Sequence, residues 1–121
     1  MTKLHTLSAI VLAASLGFAP LVQAHASLKA SSPPAGATVE ASPKDIALTF
    51  NEKVEEAFSA IALKDAGGKD VAAPKAHVDQ ADPTTLHLAA PPLASGVYTV
   101  QWVAVGHDGH RRTGDFKFTV K

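Results

Sequence analysis

From residue 46 onward the chain alternates between apolar and polar positions in short runs. Ile46, Leu48 and Phe50 alternate with Ala47 and Thr49, and Ile61 and Leu63 repeat the pattern. Leu86 and Leu88 alternate with Thr85 and His87. Tyr98, Val100, Trp102 and Ala104 share one side, with Thr99, Gln101 and Val103 on the other. Phe116, Phe118 and Val120 alternate with Lys117, Thr119 and Lys121. A repeat of two turns alternate side chains to one face, so each run predicts a β-strand with one buried side. Turn chemistry separates the runs: Ser32-Pro33-Pro34-Ala35-Gly36, Ser42-Pro43-Lys44-Asp45, the hairpin signal Asp65-Ala66-Gly67-Gly68, and Pro91, Pro92 and Gly96. No stretch beyond Ala24 sustains a helical period, although 52–57 suits a single turn. The polar stretch 72–84 reads as loop. Several short strands within roughly 100 residues predict an all-β, Greek-key sandwich.

The first residues do not belong to that pattern. Lys3 and His5 give a short basic start, Leu7 to Val22 form an apolar run, and Val22-Gln23-Ala24 closes it with small residues. This is the layout of a secretory signal peptide, with an apolar core too short to span a bilayer. The expected organisation is a signal over 1–24, cleaved after Ala24, and one domain over 25–121; cleavage after Ala26 is the competing site. The domain is therefore expected to be exported, with no membrane insertion after cleavage. Without Lys3 its 11 acidic residues face 10 basic ones, which gives no reason to expect nucleic acid or an anionic membrane as partner. The chain has no cysteine, and its single methionine is Met1. A metal site in the mature protein must then use nitrogen and oxygen, the donors suited to Cu(II) rather than Cu(I).

Two features at opposite ends of the mature chain meet that requirement. His25, once exposed by cleavage, offers an α-amine and an imidazole that can chelate one metal together. Gly106-His107-Asp108-Gly109-His110 follows the longest alternating run. On extended backbone Asp108 and His110 point to the same side and His107 to the other. One carboxylate and one imidazole complete a four-ligand plane with the two nitrogens of His25, the tetragonal set Cu(II) prefers. Tyr98 and Trp102 are expected in the core, His87 on the exposed side of its strand, and His77 in a solvated loop.

The sequence resembles the CopC family of periplasmic copper-binding, copper-resistance proteins. The resemblance rests on His25, Leu28 and Ser32-Pro33-Pro34-Ala35-Gly36, on Phe50-Asn51-Glu52, on Tyr98-Thr99-Val100-Gln101-Trp102, on Asp108-Gly109-His110, and on Thr113-Gly114 before the last run. It implies a seven-stranded, cupredoxin-like (Ig-like) β-sandwich or barrel. It also implies one Cu(II) per chain held by His25, Asp108 and His110, with Glu52 near the site as a weak ligand or as a group orienting one. A monomer is implied, with an inner-membrane copper importer of the CopD type as a partner. The chain departs from methionine-rich members: residues 65–82 contain no methionine, so no Cu(I) site of that kind is expected.

The expected function is copper buffering, transport or resistance, with no enzymatic activity. Two alternatives stand beside it. One is a histidine-brace copper oxidase or oxygenase, disfavoured because the aspartate would take the position oxygen needs. The other is a metal-free interaction sandwich working through a strand edge.

Overall fold

The structure is a computed structural model that describes residues 26–121. The expected signal segment and His25 lie outside the described residues. Nine strands form two sheets: β1 (Leu28–Ser32), β2 (Thr38–Val39), β3 (Asp45–Phe50), β4 (Ala60–Lys64), β5 (Asp70–Val71), β6 (His77–Val78), β7 (Thr85–Ala89), β8 (Gly96–Val105) and β9 (Arg111–Val120). One sheet has the order β1-β3-β7-β6 and the other β2-β9-β8-β4-β5. The chain crosses between sheets after β1, β2, β3, β5 and β7, which interleaves the layers as a Greek-key sandwich does. The all-β sandwich expected from the alternation is therefore present. The strand number is nine where the resemblance implied seven, because β2, β5 and β6 are separate pairings only two residues long.

Each alternating run buries the side it was expected to bury. Ile46, Leu48 and Phe50 from β3, Leu86 and Leu88 from β7, and Val100 and Ala104 from β8 are essentially inaccessible, and Tyr98, Trp102, Phe116, Phe118 and Val120 join them. Fully burying one large aliphatic or aromatic side chain contributes roughly 1.5–3 kcal/mol. With no disulfide to help, this core is the main source of stability. Phe50 and Trp102 meet edge-on across the two sheets, with ring centroids 5.2 Å apart. Gly114 faces Trp102 in register on β9. A Cβ at 114 would lie 2.4 Å from Trp102 Cζ2, so the absent side chain is what lets the indole lie across β9. The glycine of the Thr113-Gly114 pair is thus a packing feature.

The hairpin signal at Asp65 behaves as expected. Asp65 Oδ1 accepts the N–H groups of Gly67 and Lys69, and β4 pairs with β5 directly beyond. The stretch 72–84 is less of a loop than its composition suggested. β6 lies within it, paired in register with β7, and Ala76 is buried. The single turn foreseen at 52–57 is a 3₁₀ helix over Glu56–Phe58, shifted towards β4.

Candidate metal centre

Two segments meet at one end of the sandwich. Residues 51–55 follow β3, and Gly106 to His110 join β8 to β9. Val54 and Gly106 form an antiparallel bridge, and Glu55 N–H donates to Val105 O at 2.8 Å. Gly109 N–H closes the turn on Gly106 O at 2.9 Å, with Gly109 at φ +83°, a conformation that favours glycine. The segment is therefore a tight turn and not the extended backbone first assumed. Asp108 and His110 are nonetheless together, held by the turn itself. Asp108 Oδ1 accepts the His110 backbone N–H at 3.0 Å, and Oδ2 lies 2.9 Å from His110 Nδ1. This is an Asx-type closure that carries an imidazole as its last member. His107 turns towards the other segment, with Nδ1 3.2 Å from Glu55 Oε1.

Glu52 enters the same place from the other segment. A Cβ on Gly106 would fall 1.6 Å from Glu52 Oε1 and 3.1 Å from Asp108 Oδ1. Both carboxylates thus crowd one point above a glycine that has no side chain to exclude them. Glu52 Oε1 is buried and makes no hydrogen bond among the described residues. A buried carboxylate oxygen without a donor is costly, on the order of 1–3 kcal/mol, and this one lies beside the Asp108 carboxylate. Ser27 fixes the start of the described chain alongside. Its N–H donates to Asn51 Oδ1 at 2.7 Å, its carbonyl accepts Asn51 N–H at 3.0 Å, and Ala26 is buried. Among the described residues no three His, Asp or Glu side chains converge as a complete metal cage. Glu52 and Asp108 meet over Gly106, and His110 is held against Asp108; His25 is the sequence candidate outside the described residues.

The chain also matches known proteins. The CopC domain family model matches residues 28–121. The chain belongs to the CopC family. Copper resistance protein C of Escherichia coli is 37% identical over 113 residues, covering 88% of this chain and 89% of that protein. Protein YobA of Escherichia coli K12 is 37% identical over 103 residues, 84% of this chain and 83% of that one. Among solved structures, CopC from Methylosinus trichosporium OB3b superposes with a TM-score of 0.76 at 40% identity, covering 80% of this chain and 94% of that one.

Two histidines of this CopC family member have surroundings that sequence reasoning did not foresee. His87 is on the outward side of β7, yet it is gripped by carboxylates on both ring nitrogens: Asp45 Oδ2 at 2.6 Å from Nδ1 and Asp79 Oδ2 at 2.8 Å from Nε2. Burial opposes its charge, but these two contacts outweigh it and raise its pKa above the ordinary 6.5. The bond to His87, helped by the N–H groups of Ala81 and Asp82, holds the Asp79 carboxyl below its ordinary value. His77 sits in β6 and stacks on His87 instead of lying in a solvated loop.

Proposed function

We propose that the exported chain, beginning at His25, binds one Cu(II) through the His25 amine and imidazole, Asp108 and His110, with Glu52 beside them, and buffers or carries that copper in the periplasm. Copper is cargo here, so the site has to capture and release and no catalytic residue is assigned. The observation that carries the reading is Glu52 Oε1, buried, without a hydrogen bond, and set against the Asp108–His110 turn. A cation arriving between these groups supplies the missing partner. Membership of the CopC family, with copper resistance protein C among its relatives, supports copper as the ion. The donors available are nitrogen and oxygen, which favours Cu(II) among divalent ions. The tie of Ser27 to Asn51 supports His25 as the completing residue, because it fixes the chain two residues after His25 to the segment that bears Glu52. Release to an inner-membrane importer of the CopD type is part of the same proposal.

Protein purified from the periplasm with one equivalent of Cu(II) should show, by N-terminal sequencing and intact mass, a chain starting at His25 that retains one copper. His110→Ala should weaken that first equivalent by at least about 100-fold, as for loss of a ligand, with His107→Ala near wild type. A chain starting at Ser27, or equal losses for the two variants, would overturn the ligand set.

A further inference from the structure

A second group of imidazoles and carboxylates lies on the outer face of the four-stranded sheet. His77 on β6 stands directly opposite His87 on β7, and their rings stack with centroids 5.7 Å apart and planes 26° apart. On the other side, the β3 neighbour of His87 is Ala47, a small residue that leaves the imidazole accessible to its partners. Asp45 reaches Nδ1 from β3, and Asp79, one residue beyond β6, reaches Nε2. The carboxylates are positioned in advance. Asp79 Oδ1 accepts the N–H groups of Ala81 and Asp82, which turns Oδ2 towards His87. Glu56 Oε1 accepts the N–H of Val78 at 2.7 Å. Together these side chains line an open cleft of about 490 Å³.

A plain ion clamp explains Asp45, His87 and Asp79 but leaves His77 without a purpose. Its ring nitrogens make no hydrogen bond among the described residues, and an apolar side chain would stack on His87 as well. The arrangement Asp45–His87–Asp79 also has the form of a carboxylate that orients a histidine whose other nitrogen meets a metal.

We propose that His87 Nε2, Asp79 Oδ2 and His77 form a second divalent-metal site, oriented by Asp45 and walled by Glu56, that takes Cu(II) in preference to other divalent ions. The ion replaces the proton shared by His87 and Asp79, which leaves to solvent. No three donors yet converge on one point among the described residues. His77, exposed on the edge strand of its sheet, must turn its ring out of the stack to join. The site shares no residue with the His25–Asp108–His110 set, so each stands or falls alone.

The test uses untagged mature protein titrated with Cu(II) against a competing chelator of known affinity. Two equivalents should bind, the second more weakly. His77→Ala and Asp79→Asn should each weaken the second by at least about 10-fold and leave the first unchanged. His110→Ala should do the reverse. In a separate NMR experiment with Zn(II), the ring signals of His77 and His87 should shift together once the first equivalent is bound. Uptake that stops at one equivalent, a second equivalent insensitive to His77→Ala, or unmoved His77 ring signals would overturn the site. Loss of only the second equivalent in His77→Ala, with no effect of His110→Ala on the first, would keep this site and remove the other.

Discussion

Gly106→Ala probes the candidate copper site without replacing a proposed ligand. The added Cβ would sit 1.6 Å from Glu52 Oε1, 2.8 Å from Glu52 Cδ and 3.1 Å from Asp108 Oδ1. Overpacking in a rigid interior costs about 1–3 kcal/mol. Here the obstructing atoms are the far end of a flexible side chain that has no hydrogen bond on Oε1 to lose. Glu52 should swing aside, which brings the cost to the low end, about 1 kcal/mol. Gly106 has no left-handed φ, so alanine also gains about 0.4–1 kcal/mol through the unfolded chain. Urea unfolding of chelator-treated protein should therefore place the variant within about 1 kcal/mol of wild type. Copper affinity should fall far more, by about 10- to 100-fold, because the displaced Glu52 no longer supports the site. Glu52→Ala should give the same loss, and the double variant little more than either single one, the non-additivity expected of residues acting through one contact. If the two affinity losses multiply, or if Gly106→Ala unfolds the protein even in the Glu52→Ala background, the crowding of Glu52 over Gly106 is not what governs the site.

Gly114→Ala meets the opposite situation, because its Cβ would strike the buried indole of Trp102 at 2.4 Å with no solvent to escape into. A loss of about 2 kcal/mol, or roughly 10 °C in Tm, is expected. Trp102 is the chain's single tryptophan, so its emission should shift to the red; unchanged emission and Tm would refute the packing. In metal-free protein the His87 clamp should be pH-dependent. His87 has a raised pKa, so its contribution is complete below 6.5 and is lost as pH rises through the raised value. Asp79 has a lowered pKa, so its contribution is present above 3.8 and is lost as pH falls through the lowered value. The groups facing His87 are Asp45 on β3, His77 on β6, Asp79 beyond β6, and Glu56 across the cleft. The stability gap between wild type and His87→Gln, from urea midpoints with chelator present, should be widest between about pH 4 and 6.5 and narrow above; a gap constant to pH 9 would refute the clamp.

What the sequence disclosed follows from which faces of the sandwich are buried. β3, β4, β7, β8 and β9 each turn one side into the core, and the cost of burying a polar group forces the period of two that names them. β2, β5 and β6 span two residues each, too few for any period, and exist because a longer neighbour offers hydrogen bonds. The turn at Gly106–Gly109 shows a right pair reached by a wrong geometry. Asp108 and His110 stand together because a backbone N–H and an imidazole both close on one carboxylate, which spacing alone does not distinguish from extended chain. Glu52 was visible only through family resemblance, since a glycine at 106 does not reveal which distant side chain occupies the space it leaves. The outer faces are harder still. Alternation assigned His87 correctly to the outward side of β7, and from there the inference to solvent exposure failed. Outward is a property of one strand. Exposure depends on the neighbours, and Asp45 reaches His87 from 42 positions away in sequence. Inward chemistry is written locally, in the period that the core enforces. Outward chemistry is written in the register between strands, and the pairing of His77 with His87 becomes readable only once β6 is aligned on β7.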